Sequence, residues 1–224
     1  MPTFSPEWLL QTLILLPPLL FSLVIHEYAH ARTALAFGDD TARAMGRLTL
    51  NPLAHLDPMG TLCLIFAGFG WARPVPVNPA NHHPPRQGDI AVSLAGPASN
   101  LSLAVITTVL LRIWWQVGPS VAPQAIEPVF RYLLYLASIN VILCVFNLIP
   151  LFPLDGHHVV RELLPARNQY GFMAWQHRFG RTLLLVLVFG PRLISMVTGR
   201  GNIPDPLGWV LSNARSLVLL VLRV

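Results

Sequence analysis

Three long stretches of this sequence contain no charged side chain and no histidine, and they constrain the fold more than any other feature. Residues 8–25, 90–111 and 132–154 carry no Asp, Glu, Lys, Arg or His over 18, 22 and 23 residues. An α-helix needs about 20 apolar residues to cross the hydrocarbon core of a bilayer. Only 11% of the 224 residues are charged, against about 25% in soluble domains. The sequence therefore predicts an all-α polytopic membrane protein and excludes a soluble enzyme.

About five transmembrane helices are expected. The candidate segments are residues 7–36, 89–115, 127–150, 182–198 and 207–222. Pro17 and Pro18 should kink the first helix, and Gly38 should end it. The short link after the second helix makes the second and third an antiparallel pair, and a Gly-Pro-Arg sequence at residues 190–192 interrupts the fourth segment. Residues 1–160 are expected to form the functional core, and residues 161–224 to add C-terminal membrane helices to the same domain.

The region between the first two helices is rich in Gly, Pro and Asn, and its most apolar part, residues 60–71, is too short to span as a helix. Irregular backbone persists at membrane depth only where it packs on protein or lines a wet cavity. We therefore expect a re-entrant or hairpin element that forms one wall of a site. If it does not cross, ten arginines lie on one side of the membrane and four on the other, which puts the N-terminus outside the cell.

The charged and cysteine residues limit the possible partners. The fifteen basic residues are all arginine and give a formal charge of +5. They fall mostly between apolar segments, which favours contact with a lipid bilayer and argues against nucleic acid. The two cysteines, Cys63 and Cys144, are too few for a disulfide framework or a thiolate zinc site. The first apolar run is interpreted as a membrane helix and not as a signal peptide, because the residues before it include Glu7 and no basic residue.

An HExxH sequence lies near the end of the first predicted helix, at residues 26–30. With about 100° per residue, His26 and His30 lie on one helix face and can reach the same metal ion, with Glu27 beside them. Ionisable groups inside a membrane segment are costly unless they bind something or face water. The pattern predicts a zinc site with a general base.

A hydrolytic zinc site needs a third protein ligand and one open position. Asp155 is the best candidate, because two prolines break the chain just before it and can turn its carboxylate inward. The first and third helices run in the same direction, so their ends bearing His30 and Asp155 should lie at one level. His157 and His158 are rival ligands that we interpret as interfacial residues, and three further histidines, His55, His82 and His83, are assigned to loops outside the site.

Around these residues the chain resembles the site-2 proteases, which are zinc intramembrane metalloproteases, in their compact form without a PDZ or CBS domain. Besides HEYAH at residues 26–30, the similar blocks are GRLTLNPLAHLDPMGT (46–61), GWARPVPVNP (70–79), LAGPASN (94–100) and FNLIPLFPLDG (146–156). The blocks occur in the family's order and cover about residues 20 to 160, whereas the last 60 residues match loosely.

The resemblance implies one Zn²⁺ ion held by His26, His30 and Asp155, with Glu27 as the catalytic base and Asn147 supporting the site or the substrate. It also implies a loop that pairs with an unwound substrate strand. The loop residues are Gly70, Trp71, Arg73, Pro74, Val75, Pro76 and Val77. The expected substrate is a transmembrane protein or a signal-peptide remnant, cleaved near the cytoplasmic face of the cell membrane. Gly96, Asn100 and Asn140 are interpreted as helix-packing residues.

Two other functions are compatible with these residues. A membrane metal transporter would use intramembrane His and Asp as a transit path, but it would not need Glu27 at this spacing. A catalytically inactive, protease-like regulator would normally have lost Glu27 or Asp155, and both are present.

Overall fold

The computed structural model describes residues 6–67, 70–199 and 205–222. Within these ranges the chain is helical and forms one isolated antiparallel bridge, between Leu56 and Ala72. The α-helices are α1 (Pro6–Ala36), α2 (Thr41–Ala44), α3 (Pro52–His55), α4 (Pro58–Ala67), α5 (Pro85–Val121), α6 (Ile126–Asn147), α7 (Asp155–Leu163), α8 (Ala166–Trp175), α9 (Arg181–Thr198) and α10 (Pro206–Leu222). A short π-helix, Gln176–Gly180, joins α8 to α9.

Three helical segments in the described part of the chain are long and apolar enough to cross a membrane. They are Ile14–Ala36, Pro85–Val121 and Pro123–Asn147. They fit a membrane protein, and they contain the second uncharged stretch of the sequence completely and about two thirds of the first and third. The expected total of about five spans, and the re-entry of the segment between the first two, stay predictions.

The helix bounds differ from the sequence expectations at two prolines that lie inside helices. The second helix was expected to stop at residue 115, but α5 continues to Val121 with Pro119 inside its last turn. Helix α9 runs without interruption through Pro191, where a break was expected. A proline removes one backbone hydrogen bond, and the helical bonds on either side can still hold the helix together. The first helix ends at Ala36, just before Gly38 with its φ of +99°, as predicted.

Helix α5 is the centre of the bundle, since it packs along α6, α1 and α7. A small apolar cluster of Leu111, Leu134, Ala137 and Val218 joins α5, α6 and α10 near one end. Nearer the other end, the buried face of α5 carries small and polar residues that face α1. The apolar cluster holds the helices together, and the polar region leaves room for chemistry.

Residues 70–77, here called the extended segment, follow α4 and form hydrogen bonds to residues of α3 and α1. The Arg73 amide donates a hydrogen bond to the His55 carbonyl at 2.8 Å. The guanidinium of Arg47, only 8% exposed, donates to the carbonyls of Arg73 and Pro74 at 2.8 and 3.3 Å. Backbone and side-chain bonds therefore fix the extended segment at several points.

Asp39 anchors the chain that leaves the extended segment. Its carboxylate is fully buried and accepts hydrogen bonds from the Asn78 amide at 2.7 Å, from the Asn81 side chain at 2.9 Å and from the amide and hydroxyl of Thr41. Burial by itself would raise the pKa of Asp39, but these hydrogen bonds hold it below its ordinary value. The carboxylate therefore stabilises the folded loop in its charged form.

Asp39→Asn is expected to lower the stability of the protein by about 1.5–3 kcal/mol, because an amide turns one acceptor into a donor that faces other donors. The lowered pKa means that the charged carboxylate stabilises the fold above the unfolded pKa of about 4 and loses this effect as pH falls through the lower folded value. Thermal unfolding of the metal-free protein should show a gap in melting temperature at pH 7 that narrows below pH ~4. A gap that stays constant with pH would contradict this account.

Candidate metal centre

Helix α1 delivers two histidines of the HExxH sequence to the interior of the bundle. His26 and His30 are 5% and 7% exposed, and their Nε2 atoms lie 3.1 Å apart, one helical turn from each other. The sequence expectation that they share one helix face is therefore met in the structure. Glu27 is also buried, at 9% exposure.

A third side chain, that of Asp155, approaches the two histidines from the start of helix α7. Asp155 Oδ2 lies 3.3 Å from His26 Nε2 and 3.4 Å from His30 Nε2. Asp155 is the first residue of α7, which begins close against the turn after α6. A Cβ atom on Gly156 would lie 2.7 Å from the Ile149 carbonyl oxygen, so only glycine permits this approach. The chain geometry thus directs the Asp155 carboxylate back towards α1.

The Nδ1 atoms of both imidazoles form hydrogen bonds to residues of α5. His30 Nδ1 lies 2.7 Å from the Val92 carbonyl oxygen. A carbonyl can only accept, so Nδ1 carries the proton, and Nε2 of the neutral ring presents a lone pair to His26 and Asp155. His26 Nδ1 lies 2.6 Å from Asn100 Oδ1. Metal-binding histidines are typically held in this way through their second nitrogen.

The side chains of His26, His30 and Asp155, here called the donor group, fit a zinc ion as ligands. His26, His30 and Asp155 each offer one ligand atom, and these atoms lie within 4.8 Å of one another. Asp155 Oδ2 is buried without any hydrogen-bond donor. Two imidazole lone pairs and a carboxylate oxygen that converge in a buried place repel one another unless a cation lies between them. Two nitrogens and one oxygen match the ligands that zinc takes in catalytic sites with an open fourth position.

Glu27 lies at the edge of a cavity of about 620 Å³ that also contains the three donor side chains. The cavity is lined further by the extended segment, by Asn147 and by the start of α7. The amide of Val75, in the extended segment, donates a hydrogen bond of 2.9 Å to Glu27 Oε2. Glu27, the three side chains that could bind a metal ion and the extended segment therefore line the same cavity.

Comparisons with known proteins agree with this geometry. A model of peptidase family M50 matches residues 115–189, which include Asn147 and Asp155. The putative zinc metalloprotease YwhC of Bacillus subtilis strain 168 is 41% identical over 189 residues, which cover 83% of this chain and 86% of that protein. The chain belongs to peptidase family M50. This confirms the resemblance to the site-2 proteases found in the sequence.

Other relatives of this M50 chain are more distant. The putative zinc metalloprotease Rip2 of Mycolicibacterium smegmatis is 36% identical over 78% of this chain and 66% of that protein. The zinc metalloprotease MJ0392 of Methanocaldococcus jannaschii is 25% identical over 80% of this chain and 42% of that protein. No solved structure matches the chain significantly.

The other residues singled out in the sequence of this M50 chain lie in or near the site without joining the donor group. Asn147 lines the cavity, and its side-chain amide donates to the Leu143 carbonyl of its own helix. Its role in the site stays a prediction. Gly70, Trp71, Pro74, Val75 and Val77 of the extended segment line the cavity. Arg73 and Pro76 are not among the lining residues, so the pairing role of the segment stays a prediction too.

The other histidines singled out in the sequence lie outside the group of His26, His30 and Asp155. His55 donates through Nε2 to the Thr49 carbonyl at 2.8 Å, and His82 pairs with Asp89. His157 was interpreted as interfacial, but it is 1% exposed and its Nδ1 bonds to the Leu154 carbonyl. His158 lines the cavity. Within residues 6–67, 70–199 and 205–222, the only group of three clustered donors is His26, His30 and Asp155.

Two residues beside the donor group were not recognised as such from the sequence. Gly96 and Asn100 of α5 had been interpreted as packing residues, yet both contact the histidines. The GPASN block held the only available signal, namely a polar residue one turn after a glycine inside an uncharged helix. That pattern is also typical of helix packing, so it could not separate the two roles.

Gly96→Ala is expected to abolish tight metal binding. An added Cβ would lie 2.6 Å from His26 Nε2 and even closer to His30 Nε2, well inside the contact distance of about 3.5 Å between non-bonded atoms. The methyl group would push both ligand nitrogens apart. Equilibrium dialysis against zinc, followed by elemental analysis, measures the effect, with Gly171→Ala as the control because a Cβ there meets nothing within 4 Å. Unchanged zinc binding in Gly96→Ala would show that α5 can move away.

Proposed function

We propose that this M50 chain is a zinc-dependent intramembrane endopeptidase, which hydrolyses a peptide bond within or near the transmembrane segment of a membrane protein. One observation carries the proposal. His26, His30 and Asp155 converge on one point inside a helical bundle, and Glu27 faces the same cavity. Membership of peptidase family M50 and the zinc metalloprotease names of its relatives support the choice of metal and reaction.

The chemistry divides between the metal and the chain. A zinc ion bound by the three donors would polarise the scissile carbonyl and lower the pKa of a water molecule to about 7. Glu27 accepts the proton of the attacking water and passes it to the amine of the leaving group. The Val75 amide bonds to one oxygen of Glu27, at 2.9 Å, and so fixes the direction of the carboxylate.

The substrate has to be unwound before it is cleaved, since the carbonyls of a transmembrane helix are hydrogen-bonded within the helix. We propose that the extended segment holds the unwound stretch by strand-like pairing. Its bonds to His55 and Arg47 hold its backbone in place beside the cavity. Substrates with Gly or Pro in the span should therefore be cleaved faster than a polyleucine helix.

The distribution of arginine supports an orientation with the N-terminus outside the cell and the metal centre near the cytoplasmic face of the cell membrane. The proposed substrate is a membrane protein already trimmed by another protease, or a signal-peptide remnant, that reaches the depth of the metal centre.

The test is cleavage of single-span substrates reconstituted with the purified protein in liposomes and detected by mass spectrometry. We expect cleavage products that disappear when a membrane-permeant zinc chelator is added and return with Zn²⁺. Cleavage that continues in the chelator would contradict a zinc mechanism. Zinc passage across the liposome membrane without cleavage of any substrate would identify a transporter instead.

A further inference from the structure

A chain of polar side chains runs through the apolar centre of the bundle and ends on the metal centre. Ser22 of α1, Asn100 of α5 and Asn140 of α6 are all fully buried. The Asn100 amide donates to Asn140 Oδ1 at 2.8 Å, and the Asn140 amide donates to Ser22 Oγ, also at 2.8 Å. The Ser22 hydroxyl donates to the Pro18 carbonyl at 2.7 Å. Three helices thus contribute one side chain each to a continuous network.

One backbone carbonyl, that of Leu136, determines the direction of the hydrogen bonds between the side chains of this network. The Asn140 amide nitrogen also lies 2.8 Å from the Leu136 carbonyl, which can only accept a hydrogen bond. The side chain of Asn140 is therefore oriented with its nitrogen towards Leu136 and its oxygen towards Asn100. Asn100 must then point its own nitrogen at Asn140, a direction in which it also approaches the Ser22 carbonyl at 3.4 Å.

That orientation leaves Asn100 Oδ1 facing His26 Nδ1 at 2.6 Å. An amide oxygen only accepts, so His26 has to carry its proton on Nδ1. Nε2 of the neutral ring is then unprotonated and points at Asp155 and His30. The opposite tautomer would put a proton between the ligand atoms and leave Asn100 Oδ1 buried without a donor, and both are unfavourable.

We propose that Asn100 is a positioning residue that sets the tautomer of His26, and that Asn140 and Ser22 fix its orientation. The inference rests on the zinc site of the proposed function. It assigns a task to polar residues that would otherwise be costly between membrane helices. It also explains why an asparagine occupies position 100. Its amide nitrogen donates to Asn140, which fixes the side chain, and its amide oxygen accepts from His26.

Two isosteric variants separate this role from simple packing. Asn100→Leu removes the acceptor for His26 and the donor for Asn140, whereas Asn100→Asp removes the same donor but keeps an oxygen facing His26. Both variants leave Asn140 Oδ1 without its donor, and Asn100→Asp also places an acceptor against it, so a role in helix packing alone would not make Asn100→Asp the tighter zinc binder. Thr108→Val is the matched control, because Thr108 is a buried polar residue of the same helix whose hydroxyl donates to the Ala104 carbonyl of that helix.

Zinc affinity of the purified full-length protein is measured by competition with a chromophoric chelator. Asn100→Leu should lose about 10- to 100-fold in affinity, in the range found for residues that support metal ligands. Asn100→Asp should bind at least about tenfold more tightly than Asn100→Leu, and Thr108→Val should match the wild type. Equal affinities of the two Asn100 variants would overturn the proposal.

The tautomer gives a second readout that a packing role would not change. In protein labelled with ¹⁵N-histidine, the His26 signals, assigned by comparison with His26→Gln, should show Nδ1 protonated in the metal-free wild type and a mixture in Asn100→Leu. An unchanged His26 spectrum in Asn100→Leu would overturn the proposal even if zinc affinity fell. If the wild type binds no zinc but His26 keeps a single tautomer, the proposed function is contradicted and the role of Asn100 is not.

Discussion

Replacement of Glu27 by glutamine should lower the rate of substrate cleavage by about 10²- to 10⁴-fold, the usual contribution of a general base. Glutamine has the size of glutamate, and its side-chain oxygen can still accept the Val75 amide hydrogen. It cannot take a proton from water at neutral pH. The fold, the extended segment and the three donor atoms should therefore be preserved while the chemistry stops.

The measurement is product formation from a single-span substrate in liposomes, followed by mass spectrometry, with bound zinc determined in the same preparation. Glu27→Gln should keep one zinc per chain. Asn213→Leu serves as a control and should cleave at the wild-type rate, because Asn213 is exposed on α10 and its amide donates to the Trp209 carbonyl of the same helix. Cleavage by Glu27→Gln at more than a tenth of the wild-type rate would remove Glu27 from the mechanism.

The second large effect is expected on metal content. Asp155→Ala removes one of the three predicted zinc ligands, and the two that remain are neutral imidazoles, which do not balance the charge of zinc. We expect zinc affinity to fall by more than about 100-fold, beyond the loss caused by residues that only support ligands. Cleavage should be lost in parallel.

Asp205→Ala is a matched control for Asp155→Ala. Asp205 also lies at the start of a helix, where its carboxylate accepts the Gly208 amide hydrogen at 2.9 Å, but it takes no part in the donor group. Elemental analysis after dialysis should find about one zinc per chain in Asp205→Ala and almost none in Asp155→Ala. Retention of tightly bound zinc by Asp155→Ala would mean that another side chain, such as His158 at the cavity wall, completes the site.

Much of the donor group could be predicted from the sequence because local geometry determines it. His26 and His30 are four residues apart in a helix, so their common face follows from the helical repeat alone. The closeness of Asp155 followed from helix directions, since an antiparallel link puts the ends of the first and third helices at one level. The ion itself, and the roles of Glu27 and Asn147, remain predictions.

The supporting contacts could not be predicted, because they depend on how helices rotate against one another. Gly96 and Asn100 face α1 only because of the way α5 is turned in the bundle, and a uniformly apolar helix carries no periodic signal for that angle. The length of α5 was underestimated for a different reason. Pro119 reads as a break in sequence, but the last turn is closed by the Ala122 amide bonding to the Gly118 carbonyl.

The wide separation of the donors along the chain has a consequence for biosynthesis. More than half of the sequence lies between His30 and Asp155, and Asp155 reaches the histidines only after α5 and α6 have entered the bundle. A ribosome that has delivered α1 alone has made both histidines and the glutamate but no complete metal site. The nascent chain therefore passes through the insertion machinery, among many unfolded membrane segments, before it can acquire proteolytic activity.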